Sequence, residues 1–80
     1  MDWVVYILGC ADGSLYTGIT NDLTARINAH ESGKGAKYTK GRGPFILKYT
    51  EECETRSEAS KREMAVKRLS REDKLKLCQA

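Results

Sequence analysis

The chain has 80 residues, enough for one domain (1–80) with one small core, and its 40% hydrophobic content excludes a disordered chain. No apolar run reaches the roughly 20 residues that span a bilayer, and Asp2 stands where a secretory leader needs basic residues, so no membrane association and a cytoplasmic location are expected. The net charge of +3 is unevenly laid out: residues 1–25 hold three acids and no Lys or Arg, residues 26–48 hold six basic residues against Glu31 alone, and residues 61–80 hold seven against three acids.

Trp3 to Cys10 is rich in β-branched and aromatic residues and apolar on both parities, the pattern of a central strand buried on two faces. Leu15 to Thr20 reads as a second strand. Ala11-Asp12-Gly13 between them suits a three-residue hairpin loop closed by a glycine in the left-handed region. That odd loop sets Cys10 opposite Ser14, Leu8 opposite Tyr16 and Tyr6 opposite Gly18. Tyr6 and Tyr16 then share a face as diagonal neighbours. With no side chain at Gly18, both hydroxyls are expected to open into one shallow cleft.

Asn21 can cap a helix, with Asp22 in its first turn, that runs to about Ser32 and ends on Gly33. Leu23, Arg26, Ile27 and His30 are spaced to share one side, so the side that packs on the sheet also carries an arginine and the only histidine. A lone histidine beside an apolar stripe is more often packing than chemistry; an Arg–His pair near two aligned tyrosines changes that balance.

Gly33 to Gly43, GKGAKYTKGRG, is too glycine-rich for a regular element. Lys34, Lys37, Lys40 and Arg42 supply charge suited to a phosphate backbone, and Tyr38 can stack or donate a hydrogen bond. The GxxxxGK[ST] phosphate-loop spacing is absent. Pro44 opens a third strand, Phe45 to about Glu51, as at a sheet edge, with Phe45, Leu47 and Tyr49 facing one way. Thr55-Arg-Ser-Glu58 is a capping-box pattern. It opens a helix over 56–69 with Ala59, Ala65, Val66 and Leu69 as core stripe and Glu63 at the stripe's margin. Helical geometry alone does not single Glu63 out, because Arg62 lies nearer the stripe's centre and Glu58 is a rival acid already given a capping task. Ser70 caps a last short helix with Leu75 and Cys78 inward. Cys10, Cys53 and Cys78 form no CxxC pair, so neither zinc nor a disulfide framework is expected.

These parts suit phosphodiester hydrolysis, which needs an activated water, a cation for the pentacovalent phosphate and an acid to hold a metal. They also resemble a known family. Val4-Val5-Tyr6, Tyr16-Thr17-Gly18, the run from Tyr16 through Leu23 and Arg26 to His30, Gly35-Ala36-Lys37-Tyr38-Thr39, Arg42-Gly43-Pro44-Phe45 and Glu63 resemble the GIY-YIG nucleases, and especially their small stand-alone bacterial members. The first triplet departs at its glycine and isoleucine, the second in its middle residue. The resemblance covers about residues 3 to 77. It implies a mixed α/β (α+β) fold, with a three-stranded antiparallel sheet flanked by helices, and DNA cleavage with one divalent ion, Mg²⁺ or Mn²⁺. Carried over, Tyr6 is the general base or its relay, helped by His30; Tyr16 positions the water or the scissile phosphate; Arg26 neutralises the phosphate; and Glu63 holds the metal. Tyr38, Lys34, Lys37, Lys40 and Arg42 hold the nucleic-acid backbone, an assignment resting mostly on charge. DNA is the expected partner, RNA stays open because nothing reads a 2′-hydroxyl, and a protein partner is one way to supply targeting. The alternative is a non-catalytic nucleic-acid-binding module that keeps the cleft.

Overall fold

A computed structural model of the chain describes residues 2–79. Its elements follow in the order β1 (Trp3–Gly9), β2 (Leu15–Thr20), α1 (Leu23–Glu31), a 3₁₀ turn (Lys37–Thr39), β3 (Ile46–Cys53), α2 (Arg56–Lys67) and α3 (Arg71–Cys78). The strands form one antiparallel sheet in the order β2-β1-β3. The doubly apolar β1 is therefore the middle strand, as its composition requires, and the strand opened by Pro44 is an edge. Val5, Tyr6, Ile7 and Leu8 are fully buried. Each such aliphatic side chain contributes about 1.5–3 kcal/mol.

The hairpin has the expected register. Tyr6 pairs with Gly18 and Leu8 with Tyr16; the Cys10 amide donates to the Ser14 carbonyl at 2.9 Å, and Gly13 adopts φ +87°. The third strand departs from its expected alternation. Ile7 pairs with Tyr49 but Leu8 pairs with Leu47, so Lys48 is the extra residue of a β-bulge. Leu47 and Tyr49 consequently lie on opposite faces instead of sharing one. The Lys48 stem runs across Gly9, where an added Cβ would stand 2.8 Å from Lys48 Cε.

The β1 register places Val4, Tyr6 and Leu8 on one face and Val5 and Ile7 on the other. Helix α1 covers the first, joined to it by the Tyr6–His30 hydrogen bond. Helix α2 covers the second, where Arg62 pairs at 2.9 Å with Glu51, the residue opposite Val5. The cap of α1 is Asp22 rather than Asn21: the Asp22 carboxylate accepts from the Ala25 amide at 3.1 Å. Asp22 is itself steadied by its amide bond to the Thr20 hydroxyl, which pulls the helix start one residue later. Thr55 and Ser70 cap α2 and α3 as expected, through the Glu58 and Asp73 amides at 3.1 Å each. Glu58 reaches back to accept from the Glu54 amide at 3.0 Å, completing the capping box.

Two expected core positions face solvent. Ala65 is exposed while Ala59 and Val66 are fully buried, because α2 turns Ala59, Glu63 and Val66 inward and a methyl group has little area with which to oppose that. Leu75 is 37% exposed and lines an open cleft of about 370 Å³ with Pro44, Ile46 and Arg71; Cys78 is half-buried as expected. All three cysteines are free.

Candidate active site

The odd hairpin loop brings the two phenols together. The Tyr6 and Tyr16 ring centroids are 6.3 Å apart. The Tyr6 hydroxyl lies over Gly18, where an added Cβ would stand 2.5 Å from it. Helix α1 then lowers His30 onto the pair. The Tyr6 hydroxyl and His30 Nε2 are 2.9 Å apart, and the His30 ring meets Tyr16 edge-on at 5.2 Å. Phe45 closes the far side of the imidazole at 6.0 Å.

Arg26, one turn before His30, lies close enough to both phenols that Tyr6, and then Tyr16, raise its already high pKa. Burial pushes the Tyr6 phenol above its ordinary value of 10.0, and the Arg26 guanidinium offsets this only in part. Burial, followed by the Arg26 charge, holds His30 below 6.5, so the imidazole is neutral at pH 7. Glu63 is close enough to contribute to the upward push on Tyr6. Its carboxylate also pairs with Lys67 at 3.5 Å, and its side chain is 21% exposed.

Tyr6, Tyr16, Arg26 and His30 thus meet in one place, with Glu63 within electrostatic reach of Tyr6. One expectation fails: the Tyr6 hydroxyl does not open into a shallow cleft, because the residue has 0% exposure. The missing side chain at Gly18 is filled by the Tyr6 ring itself. Tyr16, half-buried, is the phenol that reaches the surface. It lines a groove of about 320 Å³ with Leu15, Thr17, Tyr38, Lys67 and Lys74.

The basic loop divides into two parts. Lys34, Lys37 and Lys40 reach solvent. Arg42 is engaged within the protein: Nε donates to the Tyr38 carbonyl at 2.6 Å and Nη1 to the Asp12 carboxylate, while the guanidinium sits 4.4 Å over the Tyr38 ring. Tyr38 in turn stacks on Tyr16 at 6.0 Å. The stacking anticipated for Tyr38 is therefore made with protein groups.

From sequence, Thr39 is only the end of the Gly35–Thr39 segment, with no role assigned to it. It is 1% exposed, and its hydroxyl lies 2.7 Å from His30 Nδ1 and 2.9 Å from the Ala36 carbonyl. The 3₁₀ turn that carries it passes over the imidazole at Gly35, where any side chain would collide with His30 Nδ1. The available signal was the place of Thr39 in that segment, which the reading of the loop by charge obscured.

The profile of the GIY-YIG catalytic domain matches residues 2–76. A UPF0213 protein of Desulfotalea psychrophila is 59% identical over 69 residues, covering 85% of this chain and 63% of its own. One from Oceanobacillus iheyensis is 56% identical over 73 residues, covering 91% of this chain and 85% of its own. The solution NMR structure of a UPF0213 protein from Bacillus halodurans superposes with a TM-score of 0.63 at 53% identity, over 99% of this chain and 84% of that one. A second NMR structure, of an E. faecalis protein, gives 0.61 at 48% identity, over 89% of this chain and 76% of that one. With the motif residues gathered around one imidazole and a match across nearly its whole length, the chain belongs to the GIY-YIG catalytic-domain family, among the small bacterial UPF0213 proteins.

Proposed function

We propose that the protein is a divalent-metal-dependent endonuclease that hydrolyses phosphodiester bonds in DNA, weakly selective for sequence or guided by DNA structure. The observation that carries this reading is the 2.9 Å hydrogen bond between the Tyr6 hydroxyl and a neutral His30, beside Arg26. A phenol is a weak base at neutral pH unless a neighbour takes its proton. In the reaction, a water entering beneath Arg26 gives a proton to the Tyr6 oxygen as the Tyr6 proton passes to His30 Nε2. The water oxygen bonds to phosphorus, and the bond to the leaving oxygen breaks with its electron pair. The leaving oxygen takes a proton from solvent, and the imidazolium later returns one. Tyr16 orients the phosphate at the surface, and Arg26 neutralises its growing charge.

Among the described residues no three His, Cys, Asp or Glu side chains converge as metal ligands. A lone carboxylate, Glu63, suits Mg²⁺ or Mn²⁺, hard ions that take one carboxylate and keep water and substrate phosphate for the rest. Such an ion supplies Lewis-acid stabilisation of the phosphate. Lys34, Lys37 and Lys40 hold the nucleic-acid backbone, while Arg42 and Tyr38 shape the loop that presents them.

The full burial of Tyr6 favours a second reading, a nucleic-acid-binding module, for DNA or RNA, that retains the cleft without turnover. Incubating duplex, flap, fork, junction, single-stranded DNA and RNA with and without Mn²⁺ separates the two. The nuclease reading expects metal-stimulated cleavage that Glu63→Gln abolishes while binding stays within a few-fold. Wild-type protein at micromolar concentration that binds these substrates and leaves all of them intact sinks it. A requirement for an added protein to direct cleavage would identify a targeting partner.

A further inference from the structure

We infer that Thr39 is a positioning residue: it locks His30 in the Nδ1–H tautomer, which leaves Nε2 as the acceptor for the Tyr6 proton. The relevance of this to cleavage rests on the nuclease reading above; the tautomer itself does not.

Two independent hydrogen-bond accounts lead to the same tautomer. The Thr39 hydroxyl has one proton. It lies 2.9 Å from the Ala36 carbonyl, an acceptor only, and donates to it. At His30 Nδ1, 2.7 Å away, the same oxygen must then accept, so Nδ1 carries the hydrogen. The second account starts at the other nitrogen. The Tyr6 hydroxyl is buried and needs an acceptor for its own proton. Its neighbour Arg26 only donates, whereas His30 Nε2 lies 2.9 Å away. A lone pair on Nε2 satisfies Tyr6, and a hydrogen on Nε2 would set two donors against each other unless the phenol turned away.

The backbone makes this arrangement specific. Thr39 lies at the end of the 3₁₀ turn, with its amide bonded to the Ala36 carbonyl at 3.1 Å, so the carbonyl that orients its hydroxyl belongs to its own turn. Gly35 lets that turn sit directly on the imidazole. An exposed basic loop thus carries, at one buried position, the residue that sets the direction of proton flow in the cleft.

Nitrogen-15 NMR of the histidine ring in the wild-type protein at pH 7 to 8 reads the tautomer directly. The expected result is a protonated-type Nδ1 and an unprotonated-type Nε2; the reverse assignment, or rapid exchange between the two, overturns the inference. Thr39→Ser keeps the hydroxyl and is expected to preserve both the ring signature and cleavage. Thr39→Val leaves Nδ1–H without a partner and is expected to shift His30 toward Nε2–H. Losing an orienting partner of this kind typically costs about 10- to 100-fold in activity, and DNA binding should stay within about threefold. A Thr39→Val protein that keeps the wild-type ring signature and rate overturns the proposal. Should that variant fail to fold, the wild-type spectrum and the Thr39→Ser pair still decide. Wild-type protein that cuts nothing yet shows the Nδ1–H signature would defeat the nuclease reading and leave the tautomer assignment standing.

Discussion

Arg42 and Asp12, 30 residues apart, form an ion pair that ties the tip of the β1–β2 hairpin to the basic loop. The Ala11 amide donates to the Arg42 carbonyl at 2.8 Å, so the tie is made by backbone as well as side chain. The Ser14 hydroxyl and amide, and then Arg42, hold the Asp12 carboxyl down at about 2.

Asp12→Asn should therefore loosen the loop while leaving the hairpin folded. Cleavage by trypsin after Lys34, Lys37 and Lys40 should rise roughly two- to fivefold, the scale set by exposed ion pairs. A depressed carboxyl keeps its contribution above 3.8 and loses it as pH falls toward about 2, so in wild type the tether should hold throughout the range in which the fold is stable. Hydrogen exchange at the Ala11 amide reports the same event.

His30 makes stability depend on pH with a definite sign. Its pKa is below 6.5 when folded and ordinary when unfolded, so the unfolded chain binds the extra proton. The contribution is complete above 6.5 and is lost as pH falls from there toward the folded value. Thermal melts between pH 5 and 8 should show Tm falling on the acid side, and His30→Gln should flatten that slope while lowering Tm at every pH.

Gly18 and Gly13 should respond differently to alanine. At Gly18 a Cβ would stand 2.5 Å from the Tyr6 hydroxyl and 3.1 Å from Tyr16 Cε2. Overpacking of that kind costs about 1–3 kcal/mol and moves the phenols, so cleavage should be lost along with stability. At Gly13 nothing lies within 4 Å and only the positive φ is strained. Gly13→Ala should cost about 1–2 kcal/mol and leave cleavage intact in the folded protein.

Arg26→Ala removes the cation beside both phenols. Loss of one group that stabilises transition-state charge typically costs about 10²–10³ in rate. Single-turnover cleavage should fall by that order while DNA affinity changes by a few-fold; equal losses in both would make Arg26 a binding residue only.

Replacing Lys34, Lys37 and Lys40 with alanine together should weaken binding to all DNA sequences alike. The slope of log K against log salt should become shallower by about 0.9 for each phosphate that is no longer neutralised. Arg42→Ala should change that slope less, since its charge is already matched by Asp12.

The parts legible in sequence were those fixed by local geometry. A three-residue loop ending in glycine determined the strand register and so the side-by-side tyrosines; Pro44 marked an edge; Thr55 and Ser70 marked helix starts. Helical spacing put Arg26 and His30 on the sheet side, where both are found. What escaped depended on tertiary neighbours. The bulge at Lys48 arises from how β3 crosses Gly9, and no pattern within β3 announces it. The burial of Tyr6 follows from its ring occupying the space that Gly18 leaves, which alternation cannot anticipate. Thr39 became visible only when its turn was seen lying on the imidazole.

The site's parts divide cleanly along the chain. The hydrogen-bonded Tyr6, His30 and Thr39 all lie within residues 6–39, whereas the Glu63 carboxylate comes from α2, which follows β3. Under the proposed reading, proton transfer and cation preference would reside on separately exchangeable segments. A chimera that takes only residues 54–69 from a relative should inherit that relative's ion preference and retain this protein's dependence of rate on acidity, which makes the second half of the chain the place to begin redesign.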